Sequence, residues 1–286
     1  MGHIKVSGRS YTVCKWALVF ALSVIWLWGT TGQLEAAPTK EYVAFWADHD
    51  PKSTLKIDHA PWSKFLKKYL DAKDESGVNL MRYKSVDKAG VDALNDYIDY
   101  LQELPIRSYS RTEQLPYWIN LYNALTVQLI LDHYPVESIT DIQFGFFSFG
   151  PWDEHLLVIE DQSVSLNDIE HRILRPIWDD PRLHYALNCA SMGCPNLLPE
   201  AYEVDSANKM MDQAAREFIN HYRAVRFERT RLVLSKIFSW YMDDFGGNEK
   251  ELLVHISKFA RPTLQRALEE YKGEIEYDYD WSLNAK

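Results

Sequence analysis

Two cysteines and a histidine in one short stretch are the residues of this sequence best suited to chemistry. The segment HYALNCASMGCPNL, residues 184–197, contains His184, Cys189 and Cys194. The only other cysteine is Cys14, close to the start of the chain. The spacing leaves four interpretations open: a disulfide, a nucleophilic thiol, part of a metal site, or two buried reduced cysteines.

Each interpretation makes its own demand on the sequence. A disulfide suits an exported protein, and closing so short a loop stabilises by about 2–3 kcal/mol in the loop-entropy model. Zinc needs three or four protein ligands, and beyond Cys189, Cys194 and His184 there is no second pair such as CxxC. A reactive thiol needs a base, for which His184 and His171 are the candidates. We therefore expect a Cys189–Cys194 disulfide and no metal or other cofactor, with a reactive thiol as the alternative.

The first 37 residues have the layout of a secretory signal. Three basic residues precede the uncharged run Trp16–Trp28, which is shorter than the roughly 20 residues of a membrane-spanning helix. Ala36 and Ala37 then provide small residues for cleavage. We expect an exported protein, periplasmic or secreted, with no stable membrane span once the signal is removed. An anchor that is not cleaved is the alternative.

The charge of the chain bears on its partners. Its formal net charge is −10, whereas nucleic-acid-binding proteins need a basic surface. We therefore expect no nucleic-acid partner. A small-molecule or peptide ligand stays open, and so does the oligomeric state.

The hydrophobic pattern predicts a helix-rich α+β fold, with a small antiparallel sheet packed around a buried central helix. Residues 114–135 are apolar on nearly every side, as in a buried helix. Alternation in residues 154–166 and 224–237 predicts two pairs of strands, and IEYDYDW (275–281) is a possible edge strand. Ser85 is the predicted cap of a helix before residue 104.

Four motifs resemble a known family. YWINLYNALTV, SLNDIEHRILR, DPRLHYALNCASMGCPNL and LSKIFSWYMDDFG occur in this order between Leu115 and Gly247. Together they resemble the domain of unknown function 547, for which no reaction is established. The expected organisation is a signal peptide at 1–37, a helical extension at 38–104, this domain at 105–247, and C-terminal helices with the edge strand at 248–286.

The resemblance also implies a distant relation to the papain- and transglutaminase-like superfamily. Enzymes of that kind place a nucleophilic cysteine at the start of a buried helix. The corresponding positions here fall near Trp118 to Asn120, with His155 as the partner, and the first turn LPYWIN contains no cysteine, serine or threonine. A conventional cysteine hydrolase is therefore not expected.

Polar residues inside the apolar motifs are the candidates for ligand binding. A buried amide without partners costs about 1–3 kcal/mol, so Asn120 and Asn123 must either tie the central helix to a loop or line a polar pocket. Asp243 and Asp244 are expected to cap a helix or to pair with Arg175 or Arg182. The predicted pocket residues are Asn120, Asn123, His155, His171, His184 and Cys189.

These patterns favour an exported protein whose polar pocket binds a peptide-like or other small envelope ligand. The first alternative is a thiol-dependent amide hydrolase or transferase. In that enzyme Cys189 or Cys194 would be the nucleophile, and His184 or His171 the base. A second alternative is a partner-binding module without chemistry, which predicts a large exposed apolar patch.

Overall fold

The computed structural model describes residues 38–145 and 149–286. The predicted signal peptide at 1–37 lies outside these residues. None of the described helices combines the length and the hydrophobicity that crossing a membrane requires. In chain order, the described α-helices are α1 (Ala60–Tyr69), α2 (Lys88–Glu103), α3 (Arg111–His133), α4 (Arg175–Trp178), α5 (Leu183–Ala186), α6 (Ala207–Ile219), α7 (Lys236–Trp240), α8 (Glu249–Phe259) and α9 (Pro262–Glu270).

The strands are short and lie in separate sheets. β1 and β2 form one antiparallel pair, and β3 and β4 form another. In the third sheet β6 lies in the middle, antiparallel to β5 and parallel to β7. The strands are β1 (Leu70–Asp71), β2 (Leu80–Met81), β3 (Leu157–Ile159), β4 (Gln162–Val164), β5 (Val225–Glu228), β6 (Arg231–Ser235) and β7 (Ile275–Asp278).

These elements confirm the α+β class, and they correct two details. The prediction of one small antiparallel sheet was wrong, because the strands form separate sheets and the third is mixed. The alternation of apolar and polar residues indicates that residues 275–281 can form a strand. It cannot show whether that strand lies parallel or antiparallel to β6, which is distant in the chain. The cap of α2 is Asp87, whose side chain accepts from the Gly90 amide at 2.8 Å, and not Ser85.

Helix α3 is the centre of the fold. Ser110 caps it by accepting a hydrogen bond from the Glu113 amide. Every side chain from Tyr117 to Val127 is buried, as the apolar pattern on all sides predicted. Such burial requires neighbours on every side, and α2 on one side and the segment 183–202 on another are among them.

The hydrophobic side chains form two clusters that meet at α5. Leu183 and Ala186 belong to the larger cluster, which surrounds α3, whereas Tyr185 belongs to the smaller one. The smaller cluster is built by α6, α8 and the third sheet. The chain that leaves α5, residues 187–195, contains both described cysteines and is called the cysteine loop below.

The C-terminal residues pack directly against the cysteine loop. The amides of Met192 and Gly193 donate to the carbonyls of Ser282 (2.7 Å) and Asp280 (2.8 Å). The Asn284 amide donates to the Ala190 carbonyl at 3.0 Å. The described residues belong to one compact unit. These three hydrogen bonds show that the C-terminal segment takes part in holding the cysteine loop.

We predict that Gly193→Ala destabilises the protein. A Cβ atom at this position would lie 2.9 Å from both the backbone nitrogen and the carbonyl oxygen of Asp280. Because backbone has to move to relieve this contact, the expected loss is about 1–3 kcal/mol in urea unfolding. Gly145→Ala is the control, since an added Cβ there meets nothing within 4 Å. Equal midpoints for the two variants would contradict the close packing at Gly193.

A second prediction concerns acid. The His255 ring stacks on Tyr185 in the smaller cluster, with Nε2 2.9 Å from the Tyr185 hydroxyl. Burial lowers the pKa of His255 from 6.5 to about 4. The unfolded chain therefore binds the proton first, so the stability is present above pH 6.5 and is lost as the pH falls towards 4. The loss is at most about 3 kcal/mol.

His255→Gln should therefore flatten the decline in unfolding free energy between pH 7 and pH 4. Urea unfolding across this range measures the effect. His133→Gln is the control, because the His133 side chain is exposed. An equally steep decline in the His255 variant and in the unaltered protein would show that His255 does not contribute.

Candidate functional site

The two cysteines of the cysteine loop lie side by side as free thiols. Their Sγ atoms are 2.8 Å apart, whereas a disulfide bond is about 2.05 Å long. The predicted disulfide is therefore not formed in this structure. Cys194 is buried and Cys189 is partly exposed, so the two sulfur atoms are not equivalent.

Hydroxyl groups surround the more exposed sulfur. Cys189 Sγ lies 3.0 Å from the Tyr279 hydroxyl and 3.3 Å from Ser191 Oγ. The two hydroxyl groups are 2.7 Å apart, which allows Ser191 to donate to Tyr279 and Tyr279 to donate to Cys189. Tyr279 comes from the segment after β7, so this environment exists only once the C-terminal residues have packed.

The two thiols differ in acidity. The hydrogen bond from Cys194 is the largest influence on Cys189; it outweighs burial and, together with Ser191 and Tyr279, lowers the pKa of Cys189 to about 7. Burial raises the pKa of Cys194, and a negative charge on Cys189 raises it further. At neutral pH, Cys189 is therefore substantially a thiolate while Cys194 remains a protonated donor.

Asparagine side chains hold the backbone of the cysteine loop. Asn123 on α3 donates to the Ala186 carbonyl at 2.9 Å and accepts from the Asn188 amide at 2.8 Å. The Asn188 side chain accepts from the Ala190 amide and donates to the Pro195 carbonyl. Ala190 has a φ of 59°, a left-handed conformation that costs about 1–2 kcal/mol for a residue other than glycine, and the Asn188 bond to its amide helps to hold it.

Asn120 has a comparable role at another place. Its side chain accepts from the Tyr202 amide at 2.9 Å and donates to the Tyr202 carbonyl at 2.8 Å. Both asparagines therefore tie α3 to neighbouring chain, which is the first of the two interpretations that the sequence left open. Their amide groups are used in these backbone contacts.

A buried ionic cluster lies next to the thiols. His184 Nε2 is 2.7 Å from Asp244 Oδ2, and His184 Nδ1 is 3.6 Å from Glu170 Oε1. Arg175 Nε donates to the same Asp244 oxygen at 2.6 Å, which confirms the expected pairing of Asp244 with Arg175. Arg175 Nη1 also donates to His171 Nδ1 at 2.9 Å. We call Glu170, His171, Arg175, His184 and Asp244 the ionic cluster.

A π-helix contributes to this arrangement. Residues Asp168–Leu174 form it, and it continues directly into α4. At its start the Ser165 amide donates to Asp168 Oδ2, and the Asp168 amide donates to Ser165 Oγ. In a regular α-helix the neighbours Glu170 and His171 would point about 100° apart. In the structure both side chains are buried and both contact members of the ionic cluster.

The carboxylates of the ionic cluster are ionised. Burial favours the protonated form of Glu170, but His171, His184 and Tyr241 outweigh it and lower its pKa to about 2. Burial acts on Asp244 in the same sense, and His184 and Arg175 hold its pKa well below the usual range. Burial lowers the pKa of His171. His171 is therefore neutral at pH 7 and accepts from Arg175.

Two tyrosines connect the ionic cluster with the thiols. The Tyr122 hydroxyl donates to Glu170 Oε2 at 3.3 Å, and the Tyr241 ring stacks on His184 with 3.8 Å between ring centroids. Burial raises the pKa of both tyrosines, and charges on Glu170 and Cys189 raise it further. Each hydroxyl thus lies within electrostatic reach of both groups.

The structure brings together only some of the predicted residues. His171 and His184 share the ionic cluster, and Cys189 and Cys194 share the thiol site. The sulfur atoms contact each other, Ser191, Tyr279 and the backbone. No cysteine–histidine hydrogen bond occurs among the described residues. His155 is exposed, and its Nε2 lies 3.7 Å from Asp168 Oδ2.

The sequence did not identify Ser191, Tyr241 or Tyr279 as functional residues. Ser191 lies inside the cysteine motif and Tyr241 inside the last motif, which is the only available signal for them. For Tyr279 the strand alternation gave no indication of a contact with Cys189, 90 residues earlier in the chain. Among the described residues, no three His, Cys, Asp or Glu side chains are arranged to hold a metal ion.

A surface pocket of about 220 Å³ lies elsewhere, between the first turns of α3 and α6. None of the six predicted pocket residues lines it. Trp178 and Arg111 form part of its wall, and the Arg111 guanidinium lies 5.3 Å from the centroid of the Trp178 ring. The predicted polar residues therefore do not form this pocket.

The fold and the site define a helix-rich α+β protein with a paired thiol site beside a buried ionic cluster. Residues 106–219 match the family described as Protein of unknown function, DUF547. Neither the curated proteins nor the solved structures contain a match to the chain. The predicted resemblance to the domain of unknown function 547 is thus confirmed over these residues, while the relation to the papain- and transglutaminase-like superfamily stays a prediction.

We predict that Asp244→Ala strongly destabilises the protein. The substitution leaves His184 and Arg175 buried without their shared carboxylate, and breaking a buried pair in this way costs about 3–5 kcal/mol. Asp92→Ala is the control, because its partner Lys88 is exposed and such pairs contribute about 0.3–0.5 kcal/mol. Chemical unfolding of both variants measures the difference. Similar small losses would show that the ionic cluster is not a structural requirement.

Proposed function

We propose that Cys189 and Cys194 form a thiol–disulfide exchange centre. The observation that carries the proposal is the difference between two thiols whose Sγ atoms are only 2.8 Å apart. Cys189 is accessible and has a lowered pKa, whereas Cys194 is buried and protonated. Exchange requires these two roles, because one thiolate attacks the substrate and a second thiol then releases it.

The reaction begins with the Cys189 thiolate. It attacks one sulfur of a substrate disulfide, the substrate S–S bond breaks, and the second substrate sulfur leaves with the electron pair. Cys194 gives its proton to this leaving thiolate, and its own sulfur attacks Cys189 Sγ. The mixed disulfide breaks, and the remaining substrate sulfur leaves as a thiolate that takes a proton from water. The substrate disulfide is reduced to two thiols and the protein is oxidised to a disulfide.

During these steps the pKa of Cys194 falls, as its attack on Cys189 requires. Part of the rise in its pKa comes from the charge on Cys189. Formation of the mixed disulfide removes that charge, so Cys194 becomes easier to deprotonate when its attack is needed. In the reverse direction a substrate dithiol reduces the protein disulfide and becomes oxidised.

Geometry favours exchange over acyl transfer. A thiol-dependent hydrolase or transferase needs a general base beside the nucleophile, and the protonated form of that base then gives a proton to the leaving group. The ring nitrogens of His184 and His171 bind Asp244 and Arg175, whereas the partner closest to Cys189 is a second thiol. In this proposal the disulfide that the sequence favoured is the oxidised state of the same pair. Closing it shortens the sulfur–sulfur distance by less than 1 Å.

The proposal includes an exported location. Disulfides persist in secreted and periplasmic proteins, and residues 1–37 would act as the signal. The peptide-like or small envelope ligand expected from the sequence then becomes the disulfide or dithiol substrate.

Alkylation and redox equilibration test the proposal. The full chain with Cys14→Ser retains only Cys189 and Cys194, and iodoacetamide labelling across pH should show one thiol with an apparent pKa near 7. Cys194→Ala should raise this value, because the Cys194 hydrogen bond is its largest cause. Tyr279→Phe should slow labelling at pH 7 by about 3-fold, whereas Tyr222→Phe, an exposed control, should not.

Equilibration with glutathione and its disulfide should then produce an intramolecular disulfide, detected as the loss of two hydrogens by mass spectrometry. Cys189→Ser and Cys194→Ser should each abolish it. Labelling that occurs only after denaturation, or a failure to form the disulfide at any glutathione ratio, would rule out the proposed exchange.

A further inference from the structure

A continuous row of aromatic rings leads away from Cys189. Trp281 and Trp240 pack on the Tyr279 ring, with centroid distances of 4.7 Å and 4.8 Å. Trp152 contacts Trp281 at 5.7 Å, and Phe149 contacts both tryptophans at about 6 Å. We call these five residues the aromatic strip. It starts at the tyrosine that holds Cys189 and ends at Phe149, which is 40% exposed.

The aromatic strip lies where the two hydrophobic clusters meet at the surface. Trp152 and Trp281 pack on the larger cluster, and Trp240 and Tyr279 on the smaller one. Their rings are only partly buried. Aromatic rings combine a large apolar area with little conformational entropy to lose, which suits them to binding other molecules. The strip also lies beside the Cys189 sulfur, because its first member, Tyr279, contacts that atom.

An edge strand continues into the aromatic strip. β7 pairs with β6 on one side only, and no described strand pairs with its other side. The residue after β7 is Tyr279. An edge strand presents a row of backbone N–H and C=O groups that can pair with another extended chain. Its groups repeat at about 3.3 Å per residue, which matches an extended polypeptide.

The negative charges along β7 do not hinder the binding of an uncharged polypeptide. Glu276 binds Arg231 at 2.7 Å and Asp278 binds Arg226 at 2.9 Å. Both carboxylates are therefore paired within the third sheet. Recognition at this edge then relies on backbone pairing and on apolar contact, and it needs no cluster of basic residues in the partner.

We infer that β7 and the aromatic strip together bind an extended polypeptide that carries a cysteine or a disulfide. The inference rests on the proposed exchange function and names its substrate class. The substrate backbone pairs with the edge of β7, an apolar or aromatic side chain next to the cysteine packs on Trp240 and Trp281, and the substrate sulfur reaches Cys189. A substrate without flanking residues reacts without these contacts.

The test compares two peptides as mixed disulfides with 2-nitro-5-thiobenzoate. In one, phenylalanine and valine flank the cysteine; in the other, glycine and serine do. The full chain with Cys14→Ser should react at least 10-fold faster with the aromatic peptide. Trp281→Ala should bring the ratio of the two rates close to one, whereas Tyr222→Ala, which removes an exposed ring outside the strip, should leave the ratio unchanged.

A backbone-modified peptide tests the pairing with β7 on the unaltered protein. The backbone amides of the aromatic peptide fall into two alternate sets, of which only one faces β7. N-methylation of that set should slow the reaction several-fold, whereas N-methylation of the other set should not. This measurement does not depend on the folding of any variant. Equal rates for the two peptides, or a ratio that Trp281→Ala does not change, would overturn the inference.

The small disulfide 5,5′-dithiobis(2-nitrobenzoate) separates this inference from the proposed function. If Cys189 reacts with it but does not distinguish the peptides, exchange stands and the peptide surface is wrong. If Cys189 reacts with neither, the exchange function itself fails.

Discussion

The contact between Asn123 and the cysteine loop is the constraint on which the site depends. One side-chain amide group on the central helix satisfies the carbonyl of Ala186 and the amide of Asn188. The backbone at the start of the cysteine loop is therefore held in one position. Helix α3 is buried on every side, which leaves this anchor little freedom to move. Because an unsatisfied buried backbone group is costly, burial of the helix also fixes the loop.

The ionic cluster stabilises the same region from the other side. His184 is only five residues before Cys189, and its ring lies between two carboxylates on separate segments. Buried charges are tolerated when they are paired and hydrogen-bonded, and Arg175 meets that requirement for Asp244. Asn123 and His184 thus fix the start of the cysteine loop, while the C-terminal segment fixes its middle through Ser282 and Asp280.

Secondary structure and burial could be predicted from local pattern. The central helix, the hairpins and the last two helices follow from hydrophobic periodicity, because this signal lies within a few residues of the chain. The π-helix at Asp168–Leu174 and the parallel pairing of β7 could not be predicted, since each depends on packing against distant chain.

The sequence by itself determined which residues could do chemistry, the resemblance of residues 106–219 to a known family, and the burial of α3. It could not determine how the candidates are grouped. Only the tertiary structure placed Tyr279 on Cys189 and gave both histidines ionic-cluster partners, with no histidine–sulfur hydrogen bond among the described residues. The physical reason is that the acidity of a thiol depends on the donors around it. Here Tyr279 comes from a segment 90 residues away in the chain.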